Sequence, residues 1–377
     1  GDRVTIGNIE FATIHTPGHT PEHIVFLVTD HGSGADEPMG LLAGDFVFVG
    51  DLGRPDLLET AAGEAGQMEP SARRLFHTLS TLDDLPDFVQ VWPAHGAGSA
   101  CGKALGAVPT STIGYERRFN PAIKAADTED GFVSFILSGQ PEPPIYFAAM
   151  KRANKLGPPV LGNLPTPRPL TIDDLASLDT QAVALVDTRS WNEFSSGHVP
   201  GSLRAPLTGS FCTDIGSMVT AEDDIYLVVD PAEVERAVRL LVRIGLDRVV
   251  GFIPPEAVTE YAESGHSLAT IRDMEIDKAA EAIAAGTMAV LDVRRATEHA
   301  EGHIDGATNI AHTRLAARLD EVPDGPLIVH CRSGGRSSRA ASYLARLGRD
   351  VVNLKGGMLA WEASGKPVKR DPAHPHS

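Results

Sequence analysis

Past residue 170 the apolar positions fall into two blocks of one design. A short continuous apolar run, VALVD at 183–187 or MAVLD at 288–292, leads into a polar stretch. A second run follows, IYLVVD at 225–230 or PLIVHC at 326–331. After each comes a segment whose apolar residues recur every three or four positions, VERAVRLLVRIG or SSRAASYLARLG. Buried strands alternating with amphipathic helices predict parallel βαβ units. The blocks align at an offset of about 105: Asp187-Thr-Arg189 on Asp292-Val-Arg294, Glu193 on Glu298, Gly197-His198 on Gly302-His303, and Gly201 on Gly306. Each opens on an Ile-Asp helix start, Ile172-Asp173 and Ile276-Asp277. So long a period marks a duplicated domain, not a solenoid.

The first 155 residues are patterned differently. They carry strand runs at 24–29, 40–50 and 88–96 and a helix over roughly 69–82. Five prolines between Leu156 and Leu170 exclude a helix or central strand and predict a stiff spacer. The expected organisation is a first domain over 1–155, a linker over 156–170, repeats over 171–270 and 271–370, and a disordered tail over 371–377. The chain begins at Gly1-Asp2-Arg3, without Met and already strand-like, so the first domain is expected to be incomplete.

The 377 residues hold 33 Lys+Arg against 50 Asp+Glu, a formal charge of −17. That balance argues against nucleic acid or an anionic membrane as the main partner. No apolar run approaches the ~20 residues that span a bilayer. The three cysteines, Cys101, Cys212 and Cys331, are widely spaced and form no CxxC pair, which excludes a disulfide framework or a zinc ribbon. A reducing cytoplasm is the expected compartment, and a working cysteine there has a chemical role.

His330-Cys331-Arg332-Ser333-Gly334-Gly335-Arg336-Ser337 lies between a strand and a helix. Two glycines let such a loop turn its N–H groups inward as an anion nest, and the helix beginning near Ser337 adds its positive end. Both, with Arg332 and Arg336, favour a Cys331 thiolate over an inert buried thiol. A phosphatase cradle also pairs Cys with Arg, but with five residues between them; here there are four, a smaller cradle suited to sulfane sulfur. CRSGGRS with the upstream DVRRATEHAEGHIDGA resembles the rhodanese family of sulfurtransferases over roughly 275–370. The resemblance implies that Cys331 accepts sulfane sulfur as a persulfide within the loop Arg332, Ser333, Gly334, Gly335 and Arg336. It also implies that Asp292, Arg294, Glu298 and His303 are structural, as ion-pair and capping residues. The first repeat resembles the same family with its chemistry lost: Asp230 is expected at the cysteine position, in a glycine-free loop about two residues shorter. Cys212 is read as an ordinary, partly buried thiol.

In the first domain Thr16-Pro17-Gly18-His19-Thr20-Pro21-Glu22-His23, Gly44-Asp45 and Pro93-Ala94-His95-Gly96 each end a strand run. Flanking prolines exclude a helical stripe of His15, His19 and His23. Histidine and carboxylate delivered at several strand ends is how catalytic metal sites are assembled. TPGHTPEH, AGD and PAHG, in that order, resemble the metallo-β-lactamase superfamily, implying an αββα domain, here partial, ahead of the two rhodanese-like α/β domains. Carried over, His19 and Asp45 are metal ligands, and His95 is a ligand or near-ligand of a second position. That family's HxHxDH motif is absent from residues 1–155 and is expected upstream of Gly1, which leaves a ligand missing. Gly53-Arg54-Pro55-Asp56 resembles the GRxD segment of persulfide dioxygenases, placing Arg54 and Asp56 near the metal. Those enzymes use one Fe(II) on two His and one Asp, so His95 would lie beside the iron without binding it. For Cys101, a sulfur relay and a small core residue fit the sequence equally.

The reading is thus a persulfide dioxygenase fused to an inactive and an active rhodanese domain. It would oxidise glutathione persulfide, or another small persulfide, to sulfite and pass sulfane sulfur through Cys331 to give thiosulfate. The alternatives are a two-zinc thioester hydrolase of the glyoxalase II kind fused to a sulfurtransferase, or a non-catalytic sulfur carrier. A homodimer is one assembly this reading allows. YERRFN, with Tyr115, Arg117 and Arg118, is too unspecific to place a thiol anchor. Residues 1–377 alone are expected to hold little iron, show no dioxygenase activity, keep sulfur transfer and aggregate through the first domain.

Overall fold

The computed structural model describes residues 1–370 apart from positions 62, 98, 100 and 104; the tail expected at 371–377 lies outside the described residues. The chain divides into two compact units, Gly1–Pro143 and Pro144–Pro372.

In the first unit the strand runs build a six-stranded sheet in the order Arg3–Ile6, Ile9–His15, Ile24–Asp30, Gly40–Gly44, Gln90–Pro93 and Ser111–Thr112. Its neighbours are antiparallel except Gly40–Gly44 and Gln90–Pro93, which run parallel. Alternation along the strands turns Val25, Leu41 and Val91 onto helices Met68–Thr78 and Glu129–Leu137, where they meet Leu75, Phe132 and Ile136 in one core. The apolar run 40–50 is not one strand. It breaks at Asp45-Phe46 and resumes as a small hairpin, Val47–Phe48 against Asp51–Leu52. This break leaves Asp45 at a strand end.

The second unit begins at Pro144, earlier than the expected boundary after 155. Helix Tyr146–Leu156 joins it because Tyr146 and Met150 pack on the core of the first repeat. The Pro-rich segment ends in a two-residue edge strand, Arg168–Pro169, beside Val249–Ile253. Proline is tolerated there because an edge needs no second ladder.

Each repeat holds a five-stranded parallel sheet. The first runs Leu203–Arg204, Ala184–Asp187, Ile225–Val228, Val249–Ile253, Arg168–Pro169; the second runs Asp273–Met274, Val351–Leu354, Leu327–His330, Ala289–Asp292, Thr308–Asn309. Both faces are covered by helices. Leu327–His330 and Ala184–Asp187 are therefore buried at every position, which is why the sequence shows continuous apolar runs there.

The repeats share one unit and meet along helix Gly335–Arg346. Arg204 donates from its backbone N–H to Ser342 Oγ (2.9 Å) and from Nη1 to Ser338 Oγ (2.7 Å). Arg339 pairs with Asp214 at 2.6 Å, and Arg346 donates to the Val183 and Gly201 carbonyls at 3.0 Å. The first repeat thus grips the helix that follows the cysteine loop.

Candidate functional site

Cys331 follows the last residue of the fully buried strand Leu327–His330 and is itself only 1% exposed. The loop then turns sharply. Gly334 caps helix Gly335–Arg346 at φ +102°, a conformation that a side chain would strain. This turn aims the Gly334 N–H at Cys331 Sγ, 3.2 Å away. Burial opposes ionisation of the thiol. Contacts with Ser337, the Arg336 guanidinium and the Ser333 backbone outweigh it, so the pKa lies below the usual thiol value. Arg336 is not a loose cation. It forms two hydrogen bonds to the Glu298 carboxylate, at 2.5 and 2.7 Å. Arg332, Ser333 and Gly335 line the exposed rim. On the inner side the Cys331 carbonyl accepts the Met358 N–H at 2.8 Å, and the Arg332 carbonyl accepts the Leu359 N–H at 3.0 Å. Met358 and Leu359 were not legible as site residues; the Gly356-Gly357 pair just before them was the available signal.

Beneath the loop, Asp292 is fully buried and Arg294 returns onto it through Nε and Nη2, with Nη2 also donating to Gly302 O. The first repeat copies this with Asp187, Arg189 and Gly197. The structural expectation for Asp292, Arg294 and His303 matches these contacts, since His303 bonds the His299 carbonyl and stacks on the His299 ring at 3.9 Å. Glu298 does more than cap. It accepts the Arg295 N–H and also holds Arg336 of the cysteine loop.

In the first unit His19, Asp45 and His95 converge from three strand ends. The Nδ1 of His19 lies 3.0 Å from the Arg54 carbonyl, which can only accept, so Nδ1 carries the proton and Nε2 is the ring nitrogen on the Asp45 side. His19 Nε2 is 3.9 Å from Asp45 Oδ2, and His95 Nε2 is 3.2 Å from Asp45 Oδ1. The ligand atoms of Asp45, His95 and Cys101 all lie within 4.8 Å of one another. Asp45, and after it Cys101, push His95 up to about 10, so a protonated ring sits against the carboxylate where a cation would be held. A carboxylate, an imidazole and a thiol meeting at one strand-end cluster fit a transition metal, and His19, an expected ligand, stands outside that cluster at 3.9 Å from Asp45. His23, read from sequence only as a member of an excluded stripe, supports this group: its Nε2 accepts the Asp45 N–H at 3.0 Å and its Nδ1 meets Thr16 Oγ1 at 2.8 Å.

Arg54 and Asp56, expected near the metal, have their charged groups turned inward. They pair at 2.5 and 2.9 Å, and Arg54 also reaches Pro141 O at 2.6 Å. Both are almost fully buried. The contact between this pair and the site runs through the Arg54 carbonyl on His19. The neighbouring Gly53 lies so close to the Asp45 carbonyl that a Cβ would collide with it. Cys101 is 9% exposed, lies within the ligand cluster and belongs to the buried apolar set.

Residues 275–364 match the family model of the rhodanese-like domain. A sulfurtransferase of Allochromatium vinosum is 37% identical over 81 residues, covering 21% of this chain and 76% of its own. The thiosulfate sulfurtransferase GlpE of Shewanella oneidensis is 32% identical over 96 residues, covering 25% of this chain and 95% of its own. A crystal structure of a metallo-β-lactamase from Staphylococcus aureus is 40% identical with a TM-score of 0.59, covering 67% of this chain and 69% of its own. That share is larger than either compact unit, so the match crosses from one to the other. The chain belongs to the metallo-β-lactamase and rhodanese families, fused in one polypeptide. The expected α/β class, a metallo-β-lactamase-like fold with parallel sheets after it and a C-terminal rhodanese domain, is borne out.

Within the rhodanese half, strand register corrects one sequence alignment. Asp292 pairs with His330, and its counterpart Asp187 pairs with Val228. The Val293 N–H bonds the His330 carbonyl just as the Thr188 N–H bonds the Val228 carbonyl. Val229, not Asp230, therefore stands at the position of Cys331. The loop is not shortened either. Residues 230–233 separate Val229 from helix Val234–Val242, against 332–334 between Cys331 and its helix. Asp230 caps a 3-10 turn by accepting the Ala232 N–H. Motif spacing missed this because a shift of one residue reverses the face of every side chain on a strand. Cys212 bonds the Leu240 carbonyl through Sγ at 3.3 Å, and burial pushes its thiol up, as an ordinary core thiol requires.

Proposed function

We propose that this fusion is a persulfide dioxygenase coupled to a sulfurtransferase. The observation that carries the sulfurtransferase half is the Gly334 N–H directed at a buried Cys331 sulfur beside Arg336. Such a sulfur attacks the sulfane atom of thiosulfate: Cys–S⁻ and S₂O₃²⁻ give Cys–S–S⁻ and SO₃²⁻. The S–S bond to sulfite breaks as the new one forms, and the cradle N–H groups carry the negative charge. A second nucleophile then takes the outer sulfur and restores the thiolate.

For the first unit, His19 and Asp45 are iron ligands, His95 stands beside them, and Arg54 orients His19 through its carbonyl. Bound iron would supply an open coordination position for a persulfide sulfur and for O₂. The overall change is RSSH + O₂ + H₂O → RSH + SO₃²⁻ + 2H⁺, with glutathione persulfide as the expected RSSH. The GRPD segment and the fused rhodanese favour this reaction. The Asp45–His95 contact favours a second reading, a two-zinc thioester hydrolase in which His95 is a ligand. Anaerobic purification of the full-length protein with metal analysis, followed by O₂ uptake on glutathione persulfide, separates them: one iron with uptake supports the dioxygenase, and two zincs without uptake overturn it. Cytoplasmic location and a homodimer belong to this proposal as well.

A further inference from the structure

A chain of hydrogen bonds runs from Cys331 to the first repeat, and its direction is set at the far end. Cys331 Sγ lies 3.5 Å from Ser337 Oγ. Ser337 Oγ lies 2.6 Å from Asn353 Oδ1. Asn353 Nδ2 donates to Asp273 Oδ1 at 2.7 Å. The same carboxylate receives the indole N–H of Trp191, at 3.0 and 3.1 Å. Trp191 belongs to the first repeat, on helix Trp191–Ser196, and the other four residues belong to the second.

A carboxylate accepts and an indole N–H donates; neither can reverse. Asp273 therefore dictates which end of the Asn353 amide faces it, the NH₂ group, and the amide oxygen is left facing Ser337. Ser337 has one hydroxyl proton. Its contact with Asn353 Oδ1 at 2.6 Å is much shorter than those with Gly334 O at 3.2 Å and Cys331 Sγ at 3.5 Å. Ser337 and Asn353 are at most 2% exposed, so water does not compete for that proton.

We propose that Ser337 presents an oxygen lone pair, not its proton, to Cys331, in a polarity dictated by Asp273 through Asn353 and secured by Trp191 of the first repeat. Ser337 is thus a positioning residue, and the degenerate repeat takes part in tuning the nucleophile. An acceptor beside sulfur favours the S–H form. It counters the Gly334, Ser337 and Ser333 backbone N–H groups and the Glu298-bound Arg336, all of which favour the thiolate. The stabilisation that Ser337 gives the thiolate then comes through its backbone N–H alone. The balance has a chemical use. Thiolate nucleophilicity falls as thiol pKa falls, and the best attacking thiol titrates near ambient pH. A cradle of donors alone would overshoot.

This inference rests on Cys331 being the sulfur carrier, but its test does not use sulfur transfer. The full-length protein is alkylated with iodoacetamide across a pH series, and the Cys331 peptide is quantified by mass spectrometry. Ser337→Ala is expected to lower the apparent Cys331 pKa by about half a unit to one unit, the size of one neutral hydrogen bond. Asp273→Asn, which lets the Asn353 amide turn and frees the Ser337 proton toward sulfur, is expected to lower it too. The shift should persist in ~0.5 M salt, where the lost charge of exposed Asp273 is screened. A raised or unchanged pKa in Ser337→Ala overturns the proposal. Should that variant fail to fold, Asp273→Asn decides at the exposed end of the chain: no shift, or one that salt abolishes, overturns it. Cyanide-linked transfer by wild type and Cys331→Ser tests the sulfur-carrier reading separately.

Discussion

Glu298 grips Arg336 across 38 residues of sequence, with both guanidinium Nη atoms on the two carboxylate oxygens. The first repeat keeps the glutamate as Glu193, whose carboxylate caps its own helix at Ser190. The pair therefore belongs to the working cysteine loop.

Glu298→Gln should reduce thiosulfate:cyanide transfer about tenfold, with a smaller loss of stability of about 1 kcal/mol, because Arg336 loses the charge that aims it. Steady-state transfer and thermal unfolding measure the two effects. The Glu298 carboxyl is held below its usual value: burial opposes ionisation, but the Arg336 contacts outweigh it. The pair thus contributes in full above the ordinary glutamate range and fades as pH falls through the lower folded value. Transfer unchanged in the variant would remove Glu298 from the loop's function.

Cys331→Ser should abolish transfer, while Asp230→Ala and Val229→Ala should each keep it within about twofold. Val229→Cys places a thiol at the matching strand position of the first repeat. It should still give no transfer in a Cys331→Ser background, because that loop lacks the glycine turn and arginine of the active cradle. Transfer by that double variant would mean that the strand position suffices without the nest.

In the full-length protein, His19→Ala should lose bound iron, and His95→Ala should retain most of it. Metal analysis after anaerobic purification gives the answer. An emptied site in His95→Ala would favour the two-metal reading, in which Asp45 and His95 act together.

Arg54→Ala should destabilise the first unit by about 3–5 kcal/mol, since Asp56 would remain buried without its cation. Calorimetry of the full chain should show one transition lowered and the rhodanese transition unmoved, as the second unit has its own cores.

His330 is fully buried, and burial pushes its pKa below the ordinary 6.5. The unfolded chain then binds the proton more readily, so stability from this residue is present above about pH 6.5 and declines as pH falls below it. Val228 fills the matching place in the first repeat, so His330→Val should fold and flatten the acid-side slope of unfolding free energy. Urea titrations between about pH 7 and pH 5 check this, and an unchanged slope would refute it.

The sequence by itself determined the duplicated α/β architecture and the cysteine cradle. The architecture was legible because a strand buried on both faces must be apolar throughout, as Leu327–His330 is. The cradle was legible because a nest is built from contiguous backbone: Cys331, Gly334 and the first turn of helix Gly335–Arg346 need only local geometry. The strand-end positions of His19, Asp45 and His95 were readable for a similar reason, since each follows its own apolar run. Tertiary structure alone decided what joins distant residues. The Glu298–Arg336 pair, the Asp45–His95–Cys101 cluster and the inward turn of Arg54 onto Asp56 and Pro141 depend on packing that no local pattern encodes. So does the link from Trp191 through Asp273 and Asn353 to Ser337, in which 82 residues separate the first pair. The same holds for register: whether Val229 or Asp230 stands at the cysteine position is a matter of one residue, and only the pairing of Asp187 with Val228 decides it, because neighbouring strand positions face opposite sides of the sheet.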